Sequence, residues 1–154
     1  MIIIGIDPGT TGLGYGVIKK NKNKLSCLDY GVVVVNKELA HEERLRIIHN
    51  KILNLLRKYK PVFLTIESLF FFKNLKTATA VSEARGVILL AAAKRRVKIK
   101  TITPLQIKMG ISGYGRADKK QIQKIVKEIL NLKEIPEPDD AADALAAAIC
   151  SSSF

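Results

Sequence analysis

The hydrophobic period of this chain changes between Val35 and Leu45, and that change divides what the two stretches can become. Before it, Ile2–Ile6 is a continuous apolar, largely β-branched run stopped by Asp7-Pro8-Gly9, the pattern of a buried strand closed by a turn. Gly12, Gly14 and Gly16 punctuate Leu13–Ile18, a second strand that returns antiparallel through a tight hairpin. The polar stretch Lys19–Lys24 makes the next turn, and Leu25–Val35 supplies a Val-rich third strand. After the change, Leu45, Ile48, Ile52, Leu55 and Tyr59 recur every three or four residues. Acids precede them and Arg57, Lys58 and Lys60 follow, so an amphipathic helix forms with charges matched to its dipole.

Pro61 ends that helix, and Val62–Ile66 is a short apolar strand that delivers Glu67 at its exit. A second helix fits residues 78–94, and its stretch 87–93 is apolar all round. It is therefore expected to be buried on more than one side, in the core or against another subunit. Residues 97–102 read as a fifth strand and 104–109 as a short helical turn. Gly110–Arg116 reads as a mobile glycine-rich loop, followed by a helix over 118–130. After a break at Pro136 and Pro138, an Ala-rich helix runs from Asp140. The order βββαβαβαα predicts an α/β fold, a five-stranded mixed sheet flanked by α-helices. At 154 residues and 47% hydrophobic, the expectation is a single domain over 1–154 rather than two domains closing on a cleft.

The chain carries 26 Lys and Arg against 14 Asp and Glu, a net charge of +12. A balance this basic favours a polyanionic partner, either nucleic acid or an anionic membrane surface. The clusters Lys19–Lys24 and Lys94–Lys100 read first as solvated faces, with phosphate contact as the alternative. Cys27 and Cys150 are far apart and His41 and His49 are eight residues apart, so neither a disulfide framework nor a Cys/His zinc site is indicated. Met1–Ile6 has no basic region before it and does not read as a secretory signal. The other apolar runs are shorter than the roughly 20 residues that span a bilayer. The expected location is a reducing cytoplasm, without membrane attachment.

The acids fall at telling places. Asp7 leaves the first strand, Glu67 leaves the fourth, and Asp139, Asp140 and Asp143 open the last helix, where Asp140 and Asp143 share a face. Singly, each has a structural use as turn residue, strand end or helix cap. Together they would repel strongly unless divalent cations neutralised them. Carboxylate oxygens suit Mg²⁺ or Mn²⁺, and two such ions about 3.5–4 Å apart can activate water and stabilise the leaving oxygen of a phosphodiester.

Taken in order, Ile4-Gly5-Ile6-Asp7-Pro8-Gly9 with Gly14-Tyr15-Gly16, Ile66-Glu67-Ser68 with Lys73-Asn74, Ala84-Arg85-Gly86, and Asp140 to Ala146 resemble the RuvC family of Holliday junction resolvases, which has the ribonuclease H fold. The resemblance covers nearly the whole chain. It implies that Asp7, Glu67, Asp140 and Asp143 are catalytic and bind two Mg²⁺ ions, with Mn²⁺ able to substitute, and direct water at the scissile phosphate. Asp139 is read as the helix N-cap or as an acid behind those ligands. The resemblance also implies that Lys108 and Lys119 lie near junction DNA, that Phe70 stacks on a base at the opened junction, and that Lys73 joins them. Arg116 could contact phosphate from its loop. The helix over 84–93, with Gly86, Ala91, Ala92 and Ala93, matches the segment through which that family forms its homodimer. Further implications are symmetric paired nicks in four-way DNA junctions during recombination and repair, 5′-phosphate ends, and cooperation with a RuvA–RuvB branch-migration complex. Rival readings are another ribonuclease H-like nuclease, an actin-like nucleotide-binding ATPase suggested by residues 7–12, and a non-catalytic junction binder.

Overall fold

In the computed structural model, residues 1–9, 12–68 and 75–152 are described. The strands are β1 (Ile2–Pro8), β2 (Gly12–Asn21), β3 (Lys24–Val34), β4 (Phe63–Glu67) and β5 (Lys98–Ile102). The helices are α1 (His41–Tyr59), α2 (Leu75–Lys94), α3 (Pro104–Ser112), α4 (Lys119–Leu130) and α5 (Asp139–Ser151). The sheet order is β3-β2-β1-β4-β5, with β1 antiparallel to β2 but parallel to β4, and β4 parallel to β5.

Alternation along β1 separates two cores. Ile4 and Ile6 face α1 and α2, packing with Ile52, Leu56, Ile88, Ala91 and Ala92, whereas Ile3 faces α3, α4 and α5. Three layers result, with the sheet in the middle, and its central strands read as continuous apolar runs because both faces are covered.

The α5 side is unusually close. A methyl group built on Gly5 would lie 2.0 Å from the Ala144 carbonyl oxygen, and one on Gly14 would lie 2.0 Å from that of Asp140. On Gly16 it would meet the Leu145 backbone at 2.8 Å. Gly5 and Gly16 are register partners on adjacent strands, so the pair forms a shallow floor on which an Ala-rich helix can lie. The helix is moored at its far end. Thr65 donates its hydroxyl to that of Ser151 at 2.6 Å, while Lys20 and Lys100 donate to the carbonyls of Ser152 and Ser151 at 2.6 and 3.3 Å. Cations at the C-terminal carbonyls also answer the helix dipole.

The structure corrects several expectations. Gly110, Ile111 and Ser112 belong to α3, which extends to a left-handed cap at Gly113, so the glycine-rich loop is confined to the turn before α4. A capping box between Thr103 and Gln106 nucleates this helix and makes it more than a turn. Strand β2 runs on through the lysines to Asn21, leaving a two-residue turn. Helix α2 begins at Leu75, and α5 begins at Asp139 with Pro138, not Asp139, at its N-cap. Ala91 and Ala92 are fully buried in the core beneath α2, so they are not available to another subunit, whereas Gly86, Leu90 and Ala93 are exposed.

Candidate active site

The parallel register pairs Ile6 with Ile66, so the next residues, Asp7 and Glu67, leave adjacent strands side by side. Both lie at alternate positions from Ile3 and Phe63, on the face covered by α5. On the other side of Asp7, its antiparallel partner is Gly14, whose bare Cα lets the Asp140 backbone press against the sheet. Close approach of α5 therefore sets Asp140, and Asp143 one helical turn on, beside Asp7 and Glu67. All four predicted carboxylates come to the end of β1 and β4 where the chain exits both strands.

The electrostatics report that crowding. Burial raises the Asp7 carboxyl from 3.8 to about 7, reinforced by the negative charges of Glu67, Asp143 and Asp140. Burial likewise raises Glu67 from 4.5 to about 7, with Asp143 adding to it. Asp143 is raised by burial, against the pull of Lys119. These groups resist ionising together unless positive charge joins them.

Among the described residues, Lys119 brings a cation to these acids. The Asp118–Gln121 capping box starts α4 immediately before it, which fixes where its side chain emerges. Its Nζ lies 2.9 Å from Asp143 and 3.2 Å from Asp139. Burial pulls Lys119 down, but the bonds to these two acids outweigh it and hold the ammonium above its usual range. Asp139 also accepts a hydrogen bond from Gln123 at 2.7 Å, and those two donors hold its carboxyl below the usual range. It thus faces Lys119 and Gln123 and makes no cap for its own helix.

A cavity of about 260 Å³ opens beside the acids, lined by Glu67, Pro104, Ile107, Lys108, Lys119, Ile122 and Asp143. The two predicted lysines and two of the carboxylates therefore share one cleft. Arg116 is exposed on the turn between α3 and α4 and is not among the residues lining it. Phe70 and Lys73 lie outside the described residues.

One residue escaped the sequence reading of roles. Arg85 of α2 donates to the backbone carbonyl of Glu67 at 2.9 Å and to the Thr101 hydroxyl at 3.0 Å. It ties the exit of β4 to β5 and so fixes the base of the Glu67 side chain. The available signal was a lone arginine between Ala84 and the apolar stretch 87–93, a place where burial without partners is expensive.

The donor set fits a hard divalent cation, because it consists of carboxylate oxygens whose mutual repulsion a cation would relieve. Among the described residues, no three or more His, Cys, Asp or Glu side chains converge as a finished metal cage.

A mixed sheet with an acidic cluster at the exit of its two central parallel strands, overlaid by a helix that brings two further acids, defines the ribonuclease H-like class. A family profile described as "Crossover junction endodeoxyribonuclease RuvC" matches residues 3–151, and the chain belongs to this family. A curated relative of that name from Fusobacterium nucleatum is 57% identical over 97% of this chain and 78% of its own length. Another, from Thermosipho melanesiensis, is 55% identical over 97% of this chain and 96% of its own. The solved structure of T. thermophilus RuvC in complex with Holliday junction substrate superposes with a TM-score of 0.94 at 36% identity, covering 99% of this chain and 93% of that one. No helix among the described residues is long and apolar enough to cross a membrane.

Proposed function

We propose that this chain is a Holliday junction resolvase, a metal-dependent endonuclease that nicks opposed strands of a four-way DNA junction, acting as a homodimer in the cytoplasm. The observation that carries this reading is the gathering of Asp7, Glu67, Asp140 and Asp143 at one strand exit beside a cleft lined by Lys108 and Lys119. Membership of the family supports it, as does the likeness to a relative solved on a Holliday junction.

Asp7, Glu67, Asp140 and Asp143 would hold Mg²⁺, or Mn²⁺ in its place, and at a phosphodiester such ions supply Lewis-acid charge and a more acidic water. The remaining work falls to the chain itself. Close contact between α5 and the glycine floor fixes Asp140 and Asp143 relative to the sheet. Arg85 fixes Glu67 from behind. Lys119 holds Asp143 in place, and with Lys108 it draws a phosphate into a cleft that carboxylates alone would repel. Hydrolysis on the 3′-oxygen side of the phosphate leaves 5′-phosphate ends, which can be religated.

The exposed positions Gly86, Leu90 and Ala93 recur on one face of α2, and a methyl on Gly86 would meet nothing within 4 Å. A second copy can approach there, which would present two clefts to two symmetric strands. Phe70, Lys73 and Arg116 are proposed to contact the junction, and a RuvA–RuvB complex is the proposed partner in branch migration. One domain over 1–154 carries all of this.

The test is incubation with a synthetic four-way junction, a linear duplex and an RNA–DNA hybrid. The reading expects cutting of the junction in preference to the other two. Preferred cutting of the hybrid would transfer the chain to another nuclease activity on the same fold.

A further inference from the structure

The basic runs 19–24 and 94–98 lie far apart in sequence, yet the fold brings them to one place. Ile2 pairs with Lys19 and Phe63 pairs with Lys98, so the β2–β3 turn and the start of β5 both lie at the end of the sheet where β1 and β4 begin. Helices α1 and α2 end there as well. The segments 19–24, 57–60 and 94–98 hold eleven of the 26 Lys and Arg and no Asp or Glu. All but Lys20 among them are exposed. Lys58 is partly answered by Asp29 at 3.5 Å. The carboxylates sit at the opposite end, where β1 and β4 finish.

Some of this charge has a local use, since cations favour helix C-termini. Backbone geometry argues for more. Among the described residues, four non-glycine residues adopt left-handed backbone angles: Lys22 at φ 52°, Lys60 at 46°, Arg96 at 53° and Asn131 at 51°. Asparagine tolerates that region, and glycine suits it best. Three long cationic side chains occupy such positions, all at this one end. Lys22 stands exposed in the β2–β3 hairpin turn and caps no helix, although its neighbour Lys20 answers the carbonyl of Ser152 at the end of α5.

We propose that this end of the molecule is a second nucleic-acid surface, binding the phosphate backbone of a DNA duplex segment other than the one engaged at the carboxylate cleft. The inference rests on the reading that the chain works on DNA. Its chemistry is charge neutralisation without base readout, so it is indifferent to sequence and sensitive to salt. A four-way junction has several duplex arms, and a distal surface lets one protein hold a second duplex while the cleft is occupied.

The experiment saturates an immobilised four-way junction with the full chain in EDTA, washes it, and adds a fluorescent linear duplex. The wild type is expected to retain the duplex at low salt and release it as salt rises. The combined variant Lys22→Gly, Lys60→Gly, Arg96→Gly is expected to retain at least about tenfold less. Its melting temperature should be equal or higher, because glycine suits those backbone angles, and its rate of junction cleavage should be unchanged. A wild type that retains no duplex, or a variant that retains as much, would overturn the proposal. Capture by anionic phospholipid vesicles that the variant loses, with no duplex capture, would reassign the surface to membranes. Failure to bind the junction in EDTA and in Mg²⁺ alike would sink the resolvase reading instead, and titration with duplex alone still decides this one. There the slope of log affinity against log salt should fall by about 0.9 for each lost phosphate contact, and an unchanged slope overturns it.

Discussion

Gly14→Ala tests how the site is assembled. The new methyl would sit 2.0 Å from the Asp140 carbonyl oxygen and 2.3 Å from its carbonyl carbon, both backbone atoms that no rotamer change can move. Ordinary contact needs about 3.5 Å, so α5 must retreat by roughly 1 Å or more at its N-terminal end. Overpacking of this kind costs about 1–3 kcal/mol, a fall in melting temperature of roughly 2–12 °C for a chain of this size. The catalytic effect should be larger than the stability effect, because a misplacement of about 1 Å can cost on the order of a hundredfold in rate. Thermal melting and single-turnover junction cleavage at saturating Mg²⁺ read the two effects separately. A Gly14→Ala protein that melts and cuts like the wild type would refute the argument that glycine sets the approach of Asp140.

Three further perturbations address the carboxylates and their supports. Asp7 and Glu67 are raised to about 7 in the fold from 3.8 and 4.5, so the folded chain holds protons there that the unfolded chain releases. Their contribution to stability is full below the unfolded values and is lost as pH rises through about 7; melting in EDTA should show that loss between about pH 4 and 7 and level off above it, with Mg²⁺ restoring stability at the upper end. Asp7→Asn should raise the EDTA melting temperature at about pH 8, abolish cutting and leave junction binding largely intact; cutting at the normal rate would remove Asp7 from the site. Lys119→Met should alter stability by less than about 1 kcal/mol, since its side chain is 48% exposed. The variant should lower the salt slope of junction binding by about 1 and slow cutting, and an unchanged slope would take Lys119 off the DNA. Arg85→Lys keeps the charge but cannot bridge the Glu67 carbonyl and Thr101 together, so cutting should fall about tenfold with junction affinity nearly unchanged; equal loss of both would make Arg85 a DNA contact instead.

Much of this was legible in the chain because strand exits and helix starts are local events. Asp7 before Pro-Gly, Glu67 at the end of an apolar run and Asp140 with Asp143 in one helical turn could be placed on elements without knowing the fold, and the fold then brought those elements together. What could not be read depended on contacts across sequence. The Lys119 pairing with Asp143 and Asp139 spans the connection between α4 and α5, and the anchoring of Glu67 by Arg85 crosses from helix to sheet. The glycines of β2 read as punctuation and Gly5 as part of an apolar run, yet Gly5, Gly14 and Gly16 are a docking floor for α5. The apolar stretch of α2 could not disclose which alanines face the sheet, and Ala91 and Ala92 proved to be core. The start of α3 concealed its length, because a capping box carries the helix through Gly110.

If Asp7, Glu67, Asp140 and Asp143 cut a four-way junction with the help of a divalent cation, cutting must depend on both the acids and the ion. The most direct measurement uses a junction labelled on two opposed strands, incubated with the wild type and with Asp7→Asn, in Mg²⁺ and in EDTA, and resolved under denaturing conditions. Paired nicks at symmetric positions are expected only for the wild type in Mg²⁺. Equal cutting in EDTA, or equal cutting by Asp7→Asn, would contradict it.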